Sequence, residues 1–222
     1  MHKEAPVQPQ HPGIADALDR LRTGNERFYG GSARHPRLDL KRRRDVLEQG
    51  QQPFATIVAC SDSRVPVEPL FDQGIGDLFV VRVAGNVCGV DTTGSIEYAV
   101  TRLNCPLVVV LGHRHCGAVT AAIHEVTDTR NISTLLNRIQ PAVERARAMH
   151  PTCADTELVD WAVEENVWQS IGDLLSASHT VQERSRVGEV SVVGAIYDIE
   201  SGRIRWLGRH PAEAGLLSQS ST

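Results

Sequence analysis

The sequence predicts an α/β fold built on a mostly parallel four-stranded sheet with an antiparallel edge strand, flanked by helices. Three observations predict it. Four short runs, 54–59, 78–83, 107–111 and 190–196, are continuously apolar and rich in Val and Ile, as strands buried on both faces must be. Helical patterns fill the intervals, and strands alternating with helices make a right-handed parallel sheet the default. A fifth run, 204–207, follows the turn signal Glu200-Ser201-Gly202 and suits the antiparallel edge.

Taken in order, residues 1–12 are Pro-, Gln- and His-rich and read as a flexible tail. From Gly13 the spacing of Ile14, Leu18, Leu21 and Phe28 predicts an amphipathic helix over 14–29. So early a helix has little to pack on locally, and it is expected to lie as an arm across a second subunit. The run Lys41-Arg42-Arg43-Arg44 is followed at once by Asp45 and Glu48, so it reads as a solvated helix face rather than a polyanion site. Further helices are expected over 95–103, 118–125, 132–149 and 156–178, with Pro141 kinking or breaking the third. Residues 13–222 then form one domain, a size that buries a core without staples.

Composition excludes several classes. The chain has 222 residues, 41% apolar and 23% charged, with a net charge of −4, which is ordinary for a globular protein and gives no reason to expect nucleic acid. No window approaches 18 consecutive apolar residues, so a membrane span is not expected. The first residues lack the apolar core of a signal peptide. Five cysteines is an odd number, which favours free thiols or metal ligands over disulfides and a reducing, cytoplasmic setting.

The chemistry gathers at two short motifs, Cys60-Ser61-Asp62-Ser63-Arg64 and His113-Arg114-His115-Cys116-Gly117. They follow the first and third predicted strands, and in open parallel sheets ligands bind outside the carboxyl ends of the strands. Two thiols, an imidazole and a carboxylate are the donors Zn²⁺ prefers. Cys88, Cys105 and Cys153, by contrast, read as ordinary core cysteines. The fourth donor, Asp62, could close the site or leave it open. Arg64, two residues on, can pair bidentately with that carboxylate and hold it away from the metal. Gly117 opens a helix with its backbone N–H free. His115 has the right ordinary pKa for a proton relay, but it also reads as an exposed loop residue.

These motifs resemble those of the β-class carbonic anhydrases, which carry Cys-x-Asp-x-Arg and His-x-x-Cys around one zinc. The similarity runs from about Gln51 to Val119 and includes Gly76-Asp77-Leu78-Phe79-Val80-Val81-Arg82, Ala84-Gly85-Asn86 and Ser95-Ile96-Glu97-Tyr98-Ala99-Val100. The resemblance implies reversible hydration of CO₂ to bicarbonate and a proton by zinc-bound hydroxide, with one Zn²⁺ per subunit. Cys60, His113 and Cys116 would be permanent ligands. Asp62 would be an exchangeable ligand and then the hydrogen-bond partner of hydroxide, with Arg64 as its holder. Gln51 would donate to substrate, Phe79, Ala84 and Tyr98 would wall an apolar pocket, and Gly117 would add its N–H. The resemblance further implies a homodimer or a dimer of dimers with active sites at the subunit boundary. The chain departs from the family at Val83, where many members carry Asn, and at Arg114-His115, bulkier and more basic than expected.

Three other readings share these residues. A hydrolase of COS or CS₂ would use the same ligands on a linear, apolar relative of CO₂. A non-catalytic zinc protein would keep Asp62 on the metal and have no need of Arg64. A cysteine hydrolase with Cys116 as nucleophile and His113 as base lacks an obvious acid to orient the imidazole.

Overall fold

A computed structural model describes residues 12–126 and 129–218. All but the last residue of the expected tail, 1–12, lies outside the described residues. Helices α1 (Ile14–Tyr29) and α2 (Leu40–Gln49) lead into strand β1 (Ala55–Ala59), the one-turn helix α3 (Val67–Leu70) and strand β2 (Leu78–Arg82). A 3-10 turn (Ala84–Asn86) precedes helix α4 (Val90–Arg102) and strand β3 (Leu107–His113). Helices α5 (Gly117–Ile123), α6 (Arg130–Leu136), α7 (Gln140–Met149), α8 (Asp155–Ala177) and α9 (His179–Arg186) follow. Strands β4 (Ser191–Tyr197) and β5 (Ile204–Gly208) and helix α10 (Glu213–Ser218) complete the described chain.

The five strands form one sheet in the order β2-β1-β3-β4-β5, parallel throughout except for the antiparallel β4–β5 pair. Successive side chains on a strand point to opposite faces, so each buried strand supplies two cores. Ile57, Val109, Leu111 and Val193 face one core with Ala17 and Leu21 of α1 and with Val67, Leu70 and Phe71. Val58, Val108, Val110 and Val192 face the other, with α5, α7 and α8.

Helix α8 lies unusually close to the sheet, and two glycines permit it. A Cβ at Gly112 would come within 2.7 Å of one methyl of Val167, and a Cβ at Gly194 within 2.8 Å of the other. Val167 therefore sits where both neighbouring strands lack a side chain, and it carries the buried residue before it, Asn166, toward the sheet's carboxyl rim.

The expected strands are present with shifted ends. The apolar run at 107–111 continues through Gly112 and His113 to seven buried strand residues. Residues 132–149 are not one kinked helix. Two helices form, and Pro141 occupies the first turn of α7, where its missing N–H costs nothing. Helix α4 begins at Val90, earlier than expected: Thr92, Thr93 and Gly94 are poor helix formers, but Thr92 and Thr93 are buried and packing outweighs propensity. The basic run 41–44 does lie on a helix, α2, which buries none of its residues.

Helix α1, expected to find little to pack on locally, instead buries Ala17 and Leu21 in the chain's own core, and Asp72 ties it to this frame. Its buried carboxylate accepts from Arg27 Nε and from the backbone N–H groups of Arg34 and His35 at 2.9 and 2.8 Å. Burial opposes ionisation, but these donors outweigh it and hold the carboxyl below its ordinary value. A depressed folded pKa gives stability that is present above the unfolded value, about 3.9, and lost as pH falls through the folded one. Asp72→Asn is expected to lower unfolding stability by about 3 kcal/mol at pH 7, the scale for breaking a buried pair. It is also expected to flatten the acid side of the stability curve. Urea titrations of both proteins between pH 7 and 3 measure this.

Candidate metal centre

Strand β1 ends at Ala59 and Cys60 follows; β3 ends on His113. The two strands are parallel neighbours with Ala59 opposite Leu111, so their carboxyl ends open side by side. Beyond Cys60 the chain turns, with Val65 N–H donating to the Asp62 carbonyl at 3.0 Å. Arg82, at the end of β2, clamps that turn: its guanidinium donates to the Cys60 carbonyl at 3.1 and 2.9 Å and to the Asp62 carbonyl at 2.6 Å. Beyond His113, Arg114 N–H donates to the Tyr197 carbonyl at 2.9 Å. His115 then takes a left-handed φ of 57°, and Cys116 caps α5.

Cys60 Sγ, Cys116 Sγ and the imidazole of His113 come together in the buried space between these turns, their ligand atoms within 4.8 Å of one another. The two sulfurs are 4.0 Å apart. His113 is fully buried, and its Nδ1 lies 3.0 Å from the Arg114 carbonyl. A carbonyl only accepts, so Nδ1 donates and Nε2 is the nitrogen left to face the cluster. That Nε2 has no hydrogen-bond partner, and an unmet buried polar atom costs about 1–3 kcal/mol.

The sulfurs add the complementary charge. The Cys116 thiol does most to lower the pKa of Cys60 against the cost of burial, with smaller help from His113 and then the Gly85 N–H. The pKa of Cys116 is pushed up by the Cys60 sulfur and by burial. Two sulfurs 4.0 Å apart, beside an imidazole nitrogen without a hydrogen-bond partner, are a donor set that a soft dication satisfies in one step.

Asp62 stands beside this trio without joining it. Its Oδ2 is 3.9 Å from His113 Nε2, while Arg64 holds both carboxylate oxygens. Arg64 Nε and backbone N–H donate to Oδ1, each at 2.9 Å, and Nη2 donates to Oδ2 at 2.7 Å. The same Nη2 reaches the His115 carbonyl at 3.0 Å, joining the two motifs. Arg64 keeps the Asp62 carboxyl well below the ordinary carboxylate range, so Asp62 is an anion at neutral pH.

The sequence model described as Carbonic anhydrase matches residues 55–204. Carbonic anhydrase 2 of Mycobacterium tuberculosis is 41% identical over 191 residues, covering 84% of this chain and 89% of its own length. A carbonic anhydrase of Mycolicibacterium smegmatis is 38% identical over 192 residues, covering 85% and 90%. Among solved structures, a β-carbonic anhydrase of the fungus Aspergillus fumigatus aligns with a TM-score of 0.73 at 28% identity, over 94% of this chain and 98% of that one. The chain belongs to the β-carbonic anhydrase family. A structure from a study of two tetrameric β-carbonic anhydrases of Sordaria macrospora aligns with a TM-score of 0.66 at 27% identity, over 87% and 98%.

Of the other residues that the family resemblance singles out, two lie by the cluster and three do not. Ala84 begins the 3-10 turn whose Gly85 N–H donates to Cys60 Sγ at 3.3 Å. Gly117 opens α5, with open space where a Cβ would stand. Phe79, however, pairs with Thr56 across β1–β2, four residues before Cys60, or about 13 Å along the strand. Tyr98, half exposed, stacks on Phe79 with ring centroids 6.2 Å apart. Gln51 is exposed and lies before β1, at the opposite rim from the cluster.

The unusual pair Arg114-His115 is accommodated locally. Arg114 pairs with Asp160 of α8 at 2.6 Å and approaches Asp198 at 3.8 Å, and His115 is exposed. Sequence reading missed Arg82, Gly85 and Asn166, whose Nδ2 donates to the Gly85 carbonyl at 2.7 Å. A signal existed for the last: Asn166 interrupts the apolar stripe Ala162, Val163, Val167, Ile171 on α8.

Replacing His113 by Ala, or Cys60 or Cys116 by Ser, is expected to lower bound metal from about one ion per chain to near zero after dialysis. Cys153→Ser is expected to leave it unchanged. Elemental analysis with circular dichroism on the same samples measures both metal content and folding.

Proposed function

We propose that this family member is a Zn²⁺-dependent carbonic anhydrase that hydrates CO₂ reversibly to bicarbonate and a proton. The observation that carries the proposal is the open trio: Cys60, His113 and Cys116 converge while Asp62 is held aside by Arg64. Two sulfurs about 2.3 Å from a tetrahedral zinc stand about 3.8 Å apart, close to the 4.0 Å found. When bound, Zn²⁺ supplies the Lewis acidity that brings the ionisation of a coordinated water toward neutrality.

The remaining work falls to the chain. Cys60, His113 and Cys116 would hold the ion, and the Arg114 carbonyl fixes the His113 ring through Nδ1. Asp62 is too well bound by Arg64 to be a competing ligand, yet its Oδ2 faces the cluster. As an anion that only accepts, it takes the O–H of the attacking water and turns the oxygen lone pair toward CO₂. A carboxylate left free would fall onto the metal and fill the position water needs, so Arg64 is part of the mechanism rather than a surface ion pair.

CO₂ is small, neutral and weakly hydrated, so its capture calls for an apolar pocket with one or two donors. We assign the donors to Gln51 and the Gly117 N–H, and the walls to Phe79, Ala84 and Tyr98. Gln51, Phe79 and Tyr98 lie too far along the sheet to serve the cluster of their own chain, so they serve that of a partner in a homodimer. The Sordaria relatives are tetrameric, and a homodimer, alone or paired into a dimer of dimers, is the assembly we propose here. All five cysteines are free thiols, which suits a reducing, cytoplasmic compartment. Among the described residues no helix is long and apolar enough to cross a membrane.

Stopped-flow CO₂ hydration run beside a sulfide-release assay with COS and CS₂ on one purified sample tests the activity. Fast hydration is expected; sulfide release without hydration would overturn the proposal. Asp62→Asn is expected to keep its metal and lower kcat/KM for hydration about 100-fold, the upper range for a group that orients what a metal binds. Mixing Gln51→Ala with Asp62→Asn after dissociation and re-pairing tests the shared site. Half the dimers are then hybrids with one intact site each, so about a quarter of wild-type activity returns if the dimer is two-fold; no recovery places Gln51 with its own chain.

A further inference from the structure

Helix α8 sends one polar side chain into the core next to the metal cluster. Asn166 is 1% exposed, and Val167 beside it is seated over Gly112 and Gly194. Asn166 Nδ2 donates to the Gly85 carbonyl at 2.7 Å, while its Oδ1 has no partner. A buried amide with half its capacity unmet is costly, and a Leu of similar volume would avoid that cost. The one bond it does make is therefore the feature to explain.

Gly85 is in the left-handed region with φ 68° and ψ 18°. A Cβ there would stand 2.6 Å from Ile139 Cδ1, and the left-handed backbone disfavours any side chain, so glycine suits the position. Glycine leaves the turn free to move, and something must set its direction. Its N–H points at Cys60 Sγ, 3.3 Å away, and its carbonyl is the group Asn166 holds.

We propose that Asn166 is a positioning residue for the metal centre: by gripping the Gly85 carbonyl from α8 it keeps the Gly85 N–H on the Cys60 sulfur. This rests on the reading of Cys60 as a ligand. Zn²⁺ with two thiolates and a neutral imidazole is formally uncharged and acidifies water less than an all-His site does. An N–H donor to one thiolate draws charge from that sulfur and returns Lewis acidity to the ion. It also favours the thiolate over the thiol, slowing loss of the metal.

The experiment uses the full chain loaded with ¹¹³Cd²⁺ and, separately, with Co²⁺. Coupling from ¹¹³Cd to the Cys60 Hβ protons tests the ligand assignment by itself. Coupling from ¹¹³Cd to the Gly85 amide proton, through the N–H···S bond, tests the inference. In the wild-type chain both couplings are expected. Asn166→Leu is expected to lose only the second, to move the sulfur-to-Co²⁺ charge-transfer band to longer wavelength, and to release metal to a chelator about 10-fold faster. Ser170→Ala, another buried position of α8, is the control and is expected to change none of these. The inference is overturned if wild-type Gly85 shows no coupling while Cys60 does, a result that needs no variant to fold. It is equally overturned if Asn166→Leu keeps the wild-type coupling and band.

Discussion

One strand pairing sets the dimensions of the site. Parallel neighbours in a sheet lie about 4.8 Å apart, and the three ligand atoms lie within 4.8 Å of one another. This follows from topology: Cys60 leaves β1 and His113 ends β3 at the same rim, with Ala59 registered opposite Leu111. A slip in register would shift the turn that carries Cys60 by about 3.3 Å per residue along the strand axis and draw the sulfur away from the imidazole. The two apolar cores hold that register, because Ile57 and Val109 face one of them and Val58 and Val110 the other. The hydrophobic pattern that folds the sheet is thus also what assembles the metal centre.

Electrostatics then decides what the centre can do. Two sulfurs and an imidazole next to an aspartate make a donor set that would bind a dication fully and leave no room for chemistry. On the proposed function, Arg64 would prevent this by geometry as much as by charge. Its planar guanidinium meets both carboxylate oxygens, and its fork also reaches the His115 carbonyl in the other motif. Lysine, a single point charge, could not fix both oxygens and the second loop together. Arg82 performs a related task from β2, tying the Cys60 and Asp62 carbonyls to one side chain. The turn is held from two sides, so the carboxylate is placed without belonging to a helix or strand.

Much of this was legible in the sequence, and what was not has physical reasons. Strands β1, β3 and β4 announced themselves because both faces are buried, leaving apolar runs that no surface helix would show. The three metal-facing side chains and the Asp62–Arg64 pair could be read because each lies within a short local motif. Helix α4 hid its start, since its first turn carries residues of poor propensity that only tertiary burial makes helical. Arg82 lay within a matched segment but carried no local sign of its role, because its partners are carbonyls, which have no identity in a sequence. Asn166 was invisible for the same reason: its partner is the backbone of Gly85, 81 positions away, and only its break in an apolar stripe hinted at a purpose.

Gln51, Phe79 and Tyr98 expose a different limit. A motif read along the chain says which residues act together but not whether they act within one chain. Strand direction decides that question. A parallel sheet gathers the carboxyl ends of its strands at one rim, and residues at the opposite rim cannot fold back across a filled core. Phe79 pairs with Thr56 at the far end of β1, and Tyr98 leaves half its surface to solvent while stacking on it. An aromatic pair beside an edge strand, unneeded by its own core, is suited to cover a neighbour's cleft. Since β2 is the edge strand and also ends in Arg82, the strand that would offer the pocket wall to a partner is the one that braces its own metal-binding turn. In the dimer proposed above, assembly and active-site geometry would be coupled through the five residues of β2.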